Sequence, residues 1–430
     1  MPKYDDYVDS GVEWLGRVPA SWELTRLGTR FNERRSKVSD IDYPALSVTK
    51  KGVLPQLDNA AKTKDGDNRK LVKEGDFVIN SRSDRKGSSG VSDRDGSVSL
   101  INIVLKPKGI HPKFSEHLLK SHAFIEEYYR VGRGIVADLW TTRYDEMRTI
   151  TISVPSLEEQ TRIANFLDKK TALIDEAISI KEKQINLLKE HKQIIIQQAV
   201  TQGLDPNVPM KDSGVDWIGD IPEHWEVVPL KRLAVLSPSV KVSNRKSKEL
   251  VTFLAMEKVS TDGFIDQDTL MPICDVSQGF TVFNRGDVIV AKITPCFENG
   301  KSAWLNNLQT EFGYGSTEFH VLRCGQRIIG SFLYLIVSSP LFLNAGEAMM
   351  TGSAGQKRVP SSFIQNFPTA IPGVAEQEKI VSKVKELFSQ IDVVVASTVN
   401  QIEKLKEYKT TLINSAVTGK IKITPEMVEQ

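Results

Sequence analysis

The chain has 430 residues, 40% hydrophobic and 26% charged, a soluble composition with room for two or more domains. Its net charge is only +2, so any polyanion site has to come from local clustering, not from the field of the whole molecule. The most apolar run, 328–343, is broken by serines and a proline and falls short of the ~18 residues a spanning helix needs. Met1–Ser10 is acidic and polar, unlike a signal peptide. With three widely spaced cysteines, this predicts reduced thiols, a cytoplasmic location, and neither a disulfide framework nor a metal site.

Taken in chain order, the sequence reads as one plan used twice. A lead-in, Ser10-Gly-Val-Glu-Trp-Leu-Gly-Arg-Val-Pro-Ala-Ser-Trp-Glu23, returns as Ser213-Gly-Val-Asp-Trp-Ile-Gly-Asp-Ile-Pro-Glu-His-Trp-Glu226. Its tryptophans, Trp14, Trp22, Trp217 and Trp225, are expected to pack against the ends of the long helical rods and not to stack on bases. A basic run follows each copy: Arg30, Arg34, Arg35 and Lys37 in the first half, and Lys241, Arg245, Lys246 and Lys248 in the second. These runs suit phosphate neutralisation. Strand-like Gly75-Asp-Phe-Val-Ile-Asn80 answers Gly286-Asp-Val-Ile-Val-Ala291.

Directly after the first of these strands, the alternation stops at a loop carrying Arg82, Ser83, Arg85 and Lys86. Guanidinium forks suit phosphate and the guanine O6/N7 edge, and serine hydroxyls suit phosphate oxygens. The second half places Lys292, Thr294, Asn299, Lys301 and Ser302 at the equivalent point, so matching strands carry different candidate readers. Phe114, Leu118, Leu119, Phe124 and Gly134 then answer Phe332, Ile336, Val337, Phe342 and Gly352. Gly352–Arg358, with Lys357 and Arg358, reads as a polar loop suited to close backbone approach.

Pro155 and Pro372 precede two long amphipathic stretches, Leu157–Leu204 and Ala375–Ile423, each opening on Glu-Gln. Ser156 is a candidate cap for the first, with Glu159 three residues on. In the first stretch Ile174, Ile178, Lys181, Ile185, Leu188, Lys192, Ile195 and Ala199 step by four and three. Their counterparts 217 residues on are Ile391, Val395, Thr398, Ile402, Leu405, Lys409, Leu412 and Ala416; six of eight are apolar in each copy, and the polar exceptions fall at the same two places. Alternating steps of three and four place all eight on one helical stripe. Helices of about 45 residues, roughly 65–70 Å long at ~1.5 Å per residue, predict an intramolecular antiparallel coiled coil. Pro206 and Pro209 end the first rod.

Catalytic signatures are missing. Asn299-Gly-Lys-Ser302 imitates the end of a phosphate-binding loop, but Pro295 stands where its first glycine belongs. The Glu-x-Lys triplets at Glu190–Lys192 and Glu407–Lys409 lie on the rods without a nearby aspartate and read as exposed heptad charges. The chain alone is expected to be non-catalytic.

In this order, and duplicated, these motifs resemble the specificity subunits of type I restriction–modification systems over essentially the whole chain. The resemblance rests on Val18–Glu23 and Ile221–Glu226, on the Glu-Gln opening of each rod and on Ala-Val-Thr at each rod end (Ala199–Thr201 and Ala416–Thr418). It also rests on Gly75–Arg85 and Gly286–Lys301. It implies an α+β fold with an internal pseudo-two-fold repeat: two mixed α/β target recognition domains separated by two long helices forming an antiparallel coiled coil. The segments would be a lead-in (1–24), recognition domain 1 (25–155), the central helix (156–204), a linker with the repeated lead-in (205–226), recognition domain 2 (227–372), the C-terminal helix (373–423) and a tail (424–430).

By the same resemblance, each domain reads one half of a split double-stranded DNA target, and the helices act as a spacer ruler and docking surface. The partners would be modification subunits, expected to be two, which methylate adenine with S-adenosylmethionine, and restriction subunits using ATP and Mg2+. No cofactor is expected on this chain. The alternative is a two-headed, protein-binding coiled-coil adaptor without DNA contact.

Overall fold

In the computed structural model, which describes residues 2–56, 66–134, 140–240, 247–353 and 355–429, each Gly-Asp pair opens a fully buried strand. The first domain's main sheet has four strands: β1 (Phe31–Glu33), β2 (Phe77–Asn80), β3 (Ser89–Val91) and β4 (Asn102–Pro107). Their order is β3-β2-β4-β1, all antiparallel. Gly75 sits at φ 84°, the left-handed region where a side chain is strained, and turns the chain into β2. The buried Asp76 carboxylate accepts the Lys73 N–H at 2.9 Å and the Arg34 guanidinium at 2.6 and 3.0 Å. The motif is therefore a turn lock. Helices α1 (Pro112–Lys120) and α2 (His122–Arg130) follow, capped by His111 and Ser121.

The second domain repeats this sheet with β5 (Ala234–Leu236), β6 (Val288–Ala291), β7 (Ser302–Trp304) and β8 (Phe319–Cys324) in the order β5-β8-β6-β7. Gly286 takes φ 92°, and buried Asp287 accepts the Asn284 N–H and an arginine fork, here from Arg323.

Two helices of about equal length complete the fold: α3 (Leu157–Thr201) precedes the second domain, and α6 (Val374–Val417) comes after it, past α4 (Gly330–Val337) and α5 (Pro340–Ala348). No described helix is long and apolar enough to cross a membrane. The compact units do not follow the sequence halves. One comprises residues 1–182 and 399–430, the other residues 183–398. The reason is the antiparallel pairing of α3 and α6, which sets the start of each helix beside the end of the other. In the first unit Lys409 meets Asp175 at 2.6 Å and Lys181 donates to Gln401 at 2.5 Å; in the second, Lys192 meets Asp392 at 2.5 Å. Asp175 and Asp392 are the same position of the repeat, as are Lys192 and Lys409. The duplication thus makes one interhelical bridge twice. Along the seam Ile174, Ile178, Ile195, Ile391, Ile402 and Leu412 are buried, and Ile185, Leu188, Val395 and Leu405 are half-buried.

The Glu-Gln opening fixes each domain to its helix. Buried Gln160 accepts the His111 N–H at 2.7 Å and donates to the Pro155 carbonyl at 2.8 Å. Buried Gln377 accepts the Ile329 N–H at 3.0 Å and donates to the Arg327 and Pro372 carbonyls at 2.8 and 2.9 Å. Ser156 caps α3 through the Glu159 N–H at 3.3 Å. The lead-ins cover the helix ends. Trp225 is buried and donates to Glu376 at 3.1 Å; Trp22 is buried beside Gly419, whose neighbour Lys420 donates to the Leu15 and Arg17 carbonyls. Trp14 packs on Phe124 and Trp217 on Phe367.

Candidate nucleic-acid interface

Three segments distant in sequence meet at one end of the two central strands of each main sheet, tied by the same five backbone hydrogen bonds. In the first domain the Ser81 N–H donates to Ile101 (3.2 Å), Thr142 to Ser81 (2.9 Å) and Ser83 to Trp140 (3.0 Å), while Arg133 and Thr141 exchange a pair at 3.1 and 3.0 Å. In the second, Lys292 donates to Glu318 (2.8 Å), Val359 to Lys292 (2.8 Å) and Thr294 to Lys357 (3.0 Å), while Thr351 and Arg358 exchange a pair at 3.0 and 2.8 Å. The frame is one; the side chains differ. Arg82 stands where Ile293 does, Ile101 where Glu318 does, and Thr141 where Arg358 does.

In the first domain the frame borders a groove of about 590 Å³ lined by Arg35, Lys37, Lys70, Arg82, Leu100, Ile101 and Arg143, among others. A second concavity of about 510 Å³ shares Arg35 and adds Arg26 and Arg148. Lys37, Arg82 and Arg143 are exposed, and their side-chain cations make no ion pair among the described residues. Arg35 and Lys70 are held by Glu33 at 2.6 and 3.2 Å. The remaining candidates of this half lie apart from the groove wall. Ser83 and Arg85 form a single 3-10 turn, and Lys86 pairs with Glu126 at 2.7 Å. Arg34 is committed to Asp76, whose hydrogen bond raises its already high pKa further.

In the second domain Lys292 is half-buried, and Lys357 and Asn299 are exposed. The Thr294 hydroxyl donates to the Lys357 carbonyl at 3.3 Å, and Lys301 donates to the Met256 carbonyl at 2.9 Å. Ser302 is buried in β7 with its hydroxyl on Gly300, so it does not face solvent. Arg358 forks onto Glu318 at 2.8 and 2.9 Å and holds that carboxyl below the usual glutamate range. Arg245 and Lys246 lie outside the described residues.

Nothing local in the sequence marks Lys70, Arg143, Leu100 and Ile101 as groove residues, because only the fold brings them beside Arg82. Charge is uneven along the chain: residues 25–155 hold 24 Lys and Arg against 17 Asp and Glu, and residues 227–372 hold 14 against 11. Each therefore exceeds in positive charge a chain whose net is +2, and the other segments carry the compensating acid.

Residues 26–190 match the type I restriction modification DNA specificity domain. The type I restriction enzyme EcoAI specificity subunit of Escherichia coli is 38% identical over 199 residues, 46% of this chain and 33% of that protein. The EcoEI specificity subunit of Escherichia coli is 36% identical over 197 residues, again 33% of its length, so the chain spans a third of these two relatives. The MjaVIII specificity subunit of Methanocaldococcus jannaschii is 24% identical over 434 residues, 95% of this chain and 94% of that one. Among solved structures, a chain from a study of assembly and conformational transition of the type I R-M system has TM-score 0.68 at 15% identity, covering 93% of this chain and 98% of its own. The HsdS subunit from Thermoanaerobacter tengcongensis has TM-score 0.51 at 17% identity, covering 94% and 98%. These two likenesses are of fold. The chain is thus similar to the type I restriction–modification specificity subunits, and residues 26–190 match the model of their DNA specificity domain.

Proposed function

We propose that this chain is the sequence-reading subunit of a type I restriction–modification complex, non-catalytic by itself, with one recognition domain (25–155 and 227–372) for each half of a split DNA target. The observation that carries this reading is the twice-built frame: identical backbone bonds presenting unlike side chains. One geometry with two chemistries is what reading two different half-sites requires, since base-edge contacts specify and phosphate contacts position. The paired helices α3 and α6 act as the ruler between half-sites and as the dock for two modification subunits. In support, each unit leaves two large aliphatics one heptad apart exposed on α3: Leu173 and Ile180 in the first, Leu187 and Ile194 in the second. S-adenosylmethionine belongs to the modification subunits, and ATP and Mg2+ to the restriction subunits, in the cytoplasm.

The test is a salt titration of binding to duplex DNA. Affinity is expected to fall linearly on a log–log plot, with a slope set by the number of phosphates neutralised. A flat response would favour a protein-binding adaptor.

A further inference from the structure

The turn between Gly96–Val98 and β4 departs from ordinary turn chemistry. Its Asn102 N–H donates to the Ser99 carbonyl at 3.0 Å, closing a four-residue turn, and its two central residues are Leu100 and Ile101. Such positions usually carry Gly, Pro, Asn, Asp or Ser. Here they carry two neighbouring aliphatics, 41% and 36% exposed. The turn is also well held. The Ser81 N–H donates to Ile101, Lys70 to the Asn102 carbonyl at 2.8 Å, and the Asn102 amide to Ser99 at 3.1 Å. The Asn102 side-chain oxygen is buried in the groove lining and has no hydrogen-bond donor among the described residues.

We propose that Leu100 and Ile101 form an apolar tip that reads thymine methyl groups in one half-site, with Arg82 and Arg143 engaging guanine edges or phosphates beside it. The inference rests on the DNA reading above. Its physical basis is that the thymine methyl is the apolar feature of the major-groove edge, whereas the sugar–phosphate walls call for cations and hydrogen-bond donors. An aliphatic pair displayed among Lys37, Arg82 and Arg143 matches that mixture. At the matched turn the second domain carries Thr317 and Glu318, the latter forked by Arg358, so the tip belongs to the first domain alone.

The experiment uses the full chain and the two-part site it selects from a random duplex library, with each thymine replaced in turn by uracil, which lacks the methyl. For the wild type, uracil at one or two positions of a single half is expected to weaken binding about fourfold per methyl, the worth of one buried methylene. The Leu100→Ser/Ile101→Ser double variant should bind the thymine duplex as weakly as the wild type binds the uracil one, and be indifferent to the replacement. Leu100→Met should retain discrimination, and Arg82→Ala should weaken both duplexes while still distinguishing them. Thermal melts of the variants check that each is folded.

Equal wild-type affinity for thymine and uracil at every position would overturn the proposal. So would 2-aminopurine fluorescence rising at the contacted step, which would mark a wedge that unstacks bases. Salt-independent binding, or none, would instead overturn the DNA reading itself.

Discussion

Arginines that look alike in the sequence have different work in the fold. Arg34 closes on the buried Asp76, whereas the exposed Arg82 lines the groove and makes no ion pair among the described residues. Arg34→Ala is therefore expected to cost roughly 3 kcal/mol of stability, because it strands a buried carboxylate. Arg82→Ala should leave the melt unchanged and reduce the magnitude of the salt slope of DNA binding by about one. Denaturant unfolding and salt titration of the two variants separate these roles. Nothing local in the sequence distinguishes the two arginines, since Asp76 lies 42 residues from Arg34. Arg358 is similarly taken up by Glu318, 40 residues away.

A second residue-scale prediction concerns pH. His320 on β8 is mostly buried, hydrogen-bonds the Val359 carbonyl at 3.0 Å, and has its pKa lowered from 6.5 chiefly by burial. With the folded value depressed, the unfolded chain binds the extra proton first. Stability is full above about 6.5 and is lost as pH falls through the folded value. Unfolding at pH 7.5 and 5.5 should show this loss in the wild type and a smaller one in His320→Ile, which places there the residue found at the matched position, Ile103. Equal losses would count against it.

At the scale of elements, the long helices were legible because their signal is periodic and local: steps of three and four need no distant partner to be seen. The polar interruptions at Lys192 and Lys409 also have a physical reason. Each reaches an aspartate on the facing helix, so the repeat specifies its own antiparallel register. Such half-exposed pairs are worth less than about 1 kcal/mol, whereas a seam residue such as Ile178, truncated to Ala, should cost roughly 2–4 kcal/mol. The Glu-Gln motif was visible as a motif but not as a clamp. Gln377→Leu strands the Ile329 N–H and the Arg327 and Pro372 carbonyls, and is expected to cost roughly 2 kcal/mol or more, measured by denaturant unfolding. The frame of the candidate interface was illegible for the opposite reason: its three segments, around residues 81, 101 and 142, meet only through sheet pairing. Leu100 and Ile101, flanked by strand residues, carry no signal of exposure in the sequence alone.

The molecule as a whole joins duplication to divergence. Helices and lead-ins keep their chemistry across the repeat, while the side chains on the shared frame change. A protein that held two copies of one target would have no need for that change. The most direct measurement is selection of bound sites from random duplex DNA by the wild type and by Arg82→Ala/Arg143→Ala. The wild type is expected to select a motif in two parts, and the variant to relax one part while leaving the other and the gap intact. A single uninterrupted motif, or relaxation of both parts together, would contradict it.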